Sequence, residues 1–358
     1  MTFVFGNKFR IRVFGKSHSK KIGVVISGVP RGLGVSEKDI QSELDKRRPG
    51  QSDLTTPRNE LDQVKIVCGI ENGTTTGGKI QLEIENRDVD SKTYAENSKI
   101  PRPGHADFSA IAKFGGKVDL RGGGFFSGRM TACFVMAGAV AKAILRKEGI
   151  ETIAFIRKIG SVEAGEIPDK LAKEKTYLSK IRCPEENAAE KMEKAILDAK
   201  AEGDSLGGVI ECRVIGMKAG LGEPMFGSIE SRIAQFVFAI PATKGIEFGS
   251  GFKAAEMKGS EHNDRFAMEN GKVVTLSNNA GGILGGISNG MPIVFRVAFK
   301  PTSSIAKEQE TLNLDSGKME KLSVKGRHDP CIAIRAVPVV ESAAAICIAD
   351  CILGDKNV

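Results

Sequence analysis

Tryptophan is absent from the 358 residues, tyrosine occurs twice and histidine four times. Aromatic platforms for stacking nucleobases are therefore scarce, which argues against single-stranded nucleic acid as the ligand. The seven cysteines (68, 133, 183, 212, 331, 347 and 351) form no CxxC pair and no Cys/His cluster of zinc-site spacing, so no metal site is expected. Buried free thiols are the expectation instead. Cys347 and Cys351, four apart among Ala and Ile, read as core. No uncharged apolar run reaches the about 18 residues a membrane span needs. The N-terminal MTFVFGNKFRIRVFGKSHSKK alternates and carries charge, as a strand does and a secretory signal does not. A soluble, cytoplasmic protein is expected. Neither GxxxxGK[ST] nor a GxGxxG between a strand and a helix occurs, which leaves a P-loop and a Rossmann site unsupported.

Glycine is in excess, at 42 residues, so many backbone positions need positive φ or close approach. Fifty-two Lys and Arg against 44 Asp and Glu give a net charge of +8, which suits a small anionic substrate. Alternation places strands at about 9–14, 22–28, 64–70, 79–85, 152–157 and 208–215. Ser36, with Asp39 three residues on, opens a helix at 36–47 as a variant capping box. Residues 129–148 are small and apolar nearly all round, the pattern of a buried helix. A polar stretch covers about 163–186, an amphipathic helix 187–202, and an Ala-rich helix 341–353 ends the chain. The two Ala-rich helices near the ends of the two halves suggest a pseudo-duplicated architecture. No linker of Pro, Gly and Ser divides the chain, so one intertwined domain over 1–358 is expected.

All four histidines sit in loop-like contexts: GKSHS at 18, RPGHAD at 105, SEHND at 262 and GRHDP at 328. An imidazole holds or donates a proton near neutral pH, which makes His18 and His105 candidates for acid–base work. Arginines gather in the same segments, at 47, 48, 102, 121, 129 and 327. Guanidinium groups recognise carboxylate and phosphate in pairs of hydrogen bonds, and a multianionic substrate would need several. The runs RGGG (121–124) and GGILGG (281–286) can present backbone N–H groups to an anion or admit a flat ring. Lys300-Pro-Thr-Ser-Ser304 closes a strand with a cation and three hydroxyls, a composition suited to a cofactor phosphate.

Taken in order, FGKSHS, KRRPGQ, RPGHADF, RGGG…SGRMTA, GDSLGG, GLGEPMF, AGGILGGISNG, KPTSSI and KGRHDPC resemble the chorismate synthase family over nearly the whole chain. The resemblance implies an α+β fold, a β-α-β sandwich, and a homotetramer. It implies 1,4-anti elimination of phosphate from 5-enolpyruvylshikimate 3-phosphate to give chorismate with reduced FMN, a carbon–oxygen lyase reaction of aromatic amino acid biosynthesis. NADPH as the flavin's reductant is compatible with it, although no nicotinamide motif is visible. Carried over by motif, His18 protonates or stabilises the reduced flavin, His105 donates a proton near the substrate, and Asp329 assists proton removal. Arg47, Arg48, Arg102, Arg129 and Arg327 hold substrate anions, Arg327 also lying near the flavin. Flavin contacts fall to Phe125, Phe126, Ser127, Pro241, Ala242, Gly285 and the run Lys300, Pro301, Thr302, Ser303 and Ser304.

The chain departs from the family pattern at Lys16 and Ser19, where GESHG is usual, and at Asp53, Phe125, Phe126 and Met130. These departures open a second reading, a divergent paralogue that binds flavin or a shikimate-type anion with weak or altered turnover. A nucleic-acid-binding protein is a third, disfavoured by the missing aromatics. The retention of His18, His105 and Asp329 places the enzyme first.

Overall fold

The computed structural model describes residues 3–56, 60–86, 99–115, 119–324, 326 and 328–355. Its α-helices among these are α1 (Glu37–Arg47), α2 (Asp107–Phe114), α3 (Thr131–Lys147), α4 (Asp169–Lys175), α5 (Glu186–Ala201), α6 (Ile229–Val237), the single turn α7 (Gly259–His262) and α8 (Ala333–Asp355). Two five-stranded antiparallel sheets enclose a helical layer. The first runs, in spatial order, Val4–Phe5, Arg10–Gly15, Lys21–Ser27, Ile80–Glu85 and Val64–Cys68. The second runs Thr243–Phe248, Ile293–Phe299, Gly208–Ile215, Glu151–Ile159 and Val162–Glu163.

The duplication expected from the sequence is visible in the topology. Each half reads strand, strand, helix, strand, strand, helix, with the four strands side by side in the order first, second, fourth, third. In the first half the helices are α1 and α3; in the second they are α6 and α8. The closing helices α3 and α8 pack on each other, α3 also lying on the first sheet and α8 on the second, which makes the fold a β-α-β sandwich. Gly138 sets their approach: a Cβ there would overlap the Ser342 side chain of α8.

Local chemistry explains the elements. The α1 box is reciprocal, Ser36 Oγ accepting from Asp39 N–H and the Asp39 carboxylate accepting from Ser36 N–H at 2.8 Å. Strand Ile293–Phe299 alternates buried and half-buried residues, one face on the helices. Both long helices are apolar and long enough to cross a membrane by composition, yet they are mostly buried between the sheets. Six of the seven cysteines are buried as free thiols; Cys68 is exposed.

Three differences from the sequence reading have physical causes. Helix α8 begins at Ala333, not 341: it continues through Pro338 in its second turn, where the missing N–H removes a single hydrogen bond. The stretch 163–186 contains the short helix α4, whose polar face conceals one buried residue, Ala172. Helices α2 and α6 were also not anticipated; each is under ten residues, too short to show a sustained period.

Candidate active site

A cavity of about 1270 Å³ opens where the loops of both halves meet. From the first half come His18, the end of α1, the segment 102–106 ahead of α2, and the 122–131 segment leading into α3. From the second come 238–244 after α6, Lys300–Ser304 after the strand Ile293–Phe299, and Asp329, Ile332, Arg335 and Val339 around the start of α8.

Arg47, the last residue of α1, is buried beneath the floor. Its Nε donates to Thr131 Oγ1 (3.0 Å), Nη1 to Asp62 Oδ2 (3.0 Å) and Nη2 to the Gly128 carbonyl (2.7 Å). Burial and the neighbouring Arg335 push its guanidinium down to about 9, still protonated at neutral pH. The other Asp62 oxygen accepts from Arg129, whose Nε donates to Asn86 Oδ1 at 3.0 Å. Asp62 therefore holds two cavity arginines with one carboxylate, and its backbone takes φ of 48°, uncommon for a residue with a Cβ.

A second cluster lies opposite. Arg102 grips Asp107 through Nε (2.7 Å) and Nη2 (2.9 Å), and its Nη1 donates to Ser304 Oγ at 3.0 Å. His105 Nδ1 lies 2.7 Å from Asp107 Oδ1. Burial opposes the charge on Asp107, but hydrogen bonds from Arg102 and His105 prevail and hold its carboxyl below the usual range. Lys300 Nζ donates to Ser303 Oγ, and Ser303 Oγ donates to the Gly104 carbonyl at 2.8 Å. Burial and the nearby Lys244 lower the Lys300 ammonium. At the α8 side, Asp329 Oδ1 accepts from Thr56 N–H (2.8 Å) and Oδ2 from Arg335 Nη1 (2.7 Å), which fixes the carboxylate's orientation.

The glycine run has a steric reason. Gly122, at φ of 59°, lies so close to His18 that a Cβ would overlap the imidazole ring. Phe125 packs against Phe3 with ring centroids 5.0 Å apart, and Phe126 is partly exposed at the mouth.

Of the residues singled out in the sequence, His18, His105, Asp329, Phe125, Phe126, Ser127, Pro241, Ala242, Lys300, Pro301, Thr302, Ser303, Ser304, Arg47, Arg102 and Arg129 all line this cavity. Arg48 does not. It caps the C-terminus of α1, and its side chain turns to a shallow external groove beside Asp45 (3.7 Å), because one residue of helix rotates the direction by about 100°. Gly285 is also elsewhere, in the tight turn between Ile283–Leu284 and Ile287–Asn289, where it serves hairpin geometry. Arg327 lies outside the described residues. The sequence reading missed Asp62, Asp107, Lys244 and Arg335. Asp107 had a signal, its place in the same short motif as Arg102 and His105; Arg335 had none, being one arginine at the head of an apolar helix.

Of the six departures from the family pattern, Phe125 and Phe126 line the cavity and the other four lie outside it. Lys16 pairs with Asp119 at 2.9 Å, and Ser19 Oγ closes the turn by accepting from Lys16 N–H at 2.9 Å. Asp53 is exposed and Met130 is packed in the core.

A duplicated sandwich whose loops converge on a cation-lined cavity defines a protein built to bind small anions. The comparisons make the class specific. The chorismate synthase family model matches residues 9–353. The chorismate synthase of Korarchaeum cryptofilum is 50% identical over 350 residues, covering 98% of this chain and 97% of that protein. The chorismate synthases of Methanosarcina mazei (48% identical; 97% and 95% covered) and Dehalococcoides mccartyi strain BAV1 (47%; 98% and 96%) are similar over the same extent. A crystal structure of chorismate synthase superposes with a TM-score of 0.78 at 31% identity, covering 98% of this chain and 93% of that one. The chain belongs to the chorismate synthase family, whose members are lyases.

Proposed function

We propose that this protein converts 5-enolpyruvylshikimate 3-phosphate to chorismate by 1,4-anti elimination of phosphate, with reduced FMN bound beside the substrate. The observation that carries this reading is the charge of the cavity. Arg47, Arg102, Arg129, Lys244, Lys300 and Arg335 line it, against Glu60 and Asp329 on the wall and Asp62 and Asp107 behind it, which leaves the site positive. A substrate bearing one phosphate and two carboxylates offsets that surplus, and guanidinium groups give each anion paired hydrogen bonds.

The residues present fit a flavin. The cavity exceeds the about 300–1,000 Å³ usual for a single small ligand, leaving room for cofactor and substrate together. Phe125, Phe126, Ile332 and Val339 give it an apolar side, and Lys300 with the Ser303 hydroxyl gives it a phosphate-binding corner. Bound there, a reduced flavin supplies electron density as phosphate leaves and a base for the departing ring proton. The protein's own groups bind, orient and exclude water. Arg129, anchored through Asp62, and Arg102, anchored through Asp107, present fixed cations to the substrate. His105 supplies a proton to the leaving phosphate, and His18 neutralises negative charge where the RGGG turn meets the cavity. Asp329, held by Thr56 and Arg335, orders the site at the head of α8.

Burial of both apolar helices between the sheets supports a soluble enzyme. Phe226, Met225 and Phe252, which are 96%, 84% and 82% exposed, offer apolar surface to a partner, and the homotetramer we propose rests on the family resemblance.

The test is anaerobic turnover with chemically reduced FMN, following chorismate and phosphate together, with oxidised FMN as control and NADPH replacing the chemical reductant in a separate arm. Product with reduced flavin alone is the expected result. A folded, flavin-bound protein that forms no product would instead favour the divergent-paralogue reading.

A further inference from the structure

The carboxylate of Asp107 touches both Arg102 and His105, and the geometry decides where the imidazole carries its proton. Two groups approach His105 Nδ1: Asp107 Oδ1 at 2.7 Å and Arg102 Nη2 at 3.0 Å. One nitrogen cannot accept from a guanidinium and donate to a carboxylate at once. If Nδ1 were bare, its lone pair would face an anionic oxygen at 2.7 Å, closer than the 3.0 Å bond it could accept from Arg102 Nη2. Arg102 Nη2, by contrast, has an acceptor of its own in Asp107 Oδ1 at 2.9 Å. Asp107 cannot be the donor, because the Arg102 guanidinium donates to both of its oxygens and keeps it ionised. The proton between His105 and Asp107 therefore belongs to Nδ1.

We propose that Asp107 is a positioning residue for the reaction: it locks His105 in the Nδ1–H tautomer, reserving Nε2 for the substrate, while the same carboxylate aims Arg102. The proposal rests on the elimination reading above. Among the described residues, Lys300 is a further charged group beside this segment, across Gly104. Asp107 is 1% exposed and meets substrate only through the two residues it holds. Nε2, left free by the Nδ1–H tautomer, first takes a proton from solvent, and as the C–O bond to phosphate breaks with its electron pair going to oxygen, that proton passes from Nε2 to the phosphate oxygen. The imidazole is left neutral, with Nδ1–H still donated to Asp107. One side chain thus couples the direction of an anion-binding guanidinium to the protonation pattern of the acid beside it.

The measurement is the nitrogen NMR spectrum of the flavin-free full chain labelled with [15N]histidine, its four ring systems assigned by single His→Gln variants. Wild-type protein above the imidazole titration is expected to show His105 with a protonated Nδ1 and a bare Nε2. Asp107→Asn, whose amide can donate to Nδ1, is expected to reverse the pattern and to lower kcat about 10²-fold or more. Arg102→Lys is expected to keep the Nδ1–H tautomer while raising KM. An Nε2–H tautomer in the wild type overturns the proposal, and so does an unchanged tautomer or kcat in Asp107→Asn. Should Asp107→Asn not fold, the wild-type and Arg102→Lys spectra still decide. Failure of the chain to form chorismate would defeat the functional reading and leave the tautomer untouched; normal turnover with the reversed tautomer would do the opposite.

Discussion

Two ionic clusters lie against α1 and α3, and they are built to opposite ends. In the interior, Lys142 of α3 sits between Glu43 of α1 (2.6 Å) and Glu341 of α8 (3.3 Å). Tyr177 donates its hydroxyl proton to Glu341 at 2.5 Å, and Lys46 reaches both Glu43 (2.7 Å) and the Tyr177 ring. There every charge is answered by the protein, and the cluster ties three helices together. At the cavity, Asp62 answers Arg47 and Arg129, but the wall as a whole keeps more cations than anions. A closed network serves the fold; a network left positive serves a ligand. Because buried charges are costly to leave unpaired, the surplus persists only where water or an anionic substrate can meet it.

The contrast predicts that substitutions in the two clusters separate stability from activity. The largest expected effect is from Lys142→Met, which leaves the buried Glu341 without its cation and Glu43 with Lys46 alone. It should cost about 3–5 kcal/mol in urea unfolding while the folded fraction keeps its turnover. At the cavity, Arg129→Gln should do the reverse. Asp62 keeps its bond to Arg47, so the denaturation midpoint should move little, while kcat/KM falls about 10²-fold, roughly 2.7 kcal/mol. Equal losses of stability and activity in both variants would dissolve the distinction.

Acid should strike the interior cluster in a defined window. Burial works against ionisation of Glu43, yet Lys142 and Lys46 pull its carboxyl down from 4.5 to about 2. A depressed folded value means stability that is fully present above about pH 4.5 and is lost as pH falls toward 2. Unfolding free energy measured across that range should decline, and Glu43→Gln should flatten the slope. The smallest effect belongs to a residue in neither cluster. Ser36→Ala removes one half of the α1 capping box and should cost about 1 kcal/mol with no change in turnover.

The sequence made some of this legible because local chemistry left few alternatives. The Ser36 and Asp39 pair could only open a helix, and the apolar run of α3, with no polar face, had to be buried. The cavity residues Arg102, His105, Ser127 and Arg129 stood out because each is set among glycines or other chemically active residues. What stayed hidden depends on contacts between distant segments. Asp62 gains its role from Arg47 and Arg129, which lie 15 and 67 residues away. Arg335 gains its role from Asp329 and from the opening turns of α8. Arg47 and Arg48 show that a helix end fixes which residues are adjacent but not which of two neighbours faces the cavity. Gly285 shows that a glycine announces a special backbone conformation without saying what the conformation is for.

The central claim is that the cationic surplus of the cavity is the substrate's binding site. Calorimetric titration of 5-enolpyruvylshikimate 3-phosphate into the flavin-bound chain, at low and at high salt, tests it directly. The account predicts one substrate per chain and an affinity that weakens as salt rises, because ion pairing at the cavity wall carries the binding. Absence of binding to the flavin-bound protein, or an affinity indifferent to salt, would contradict it.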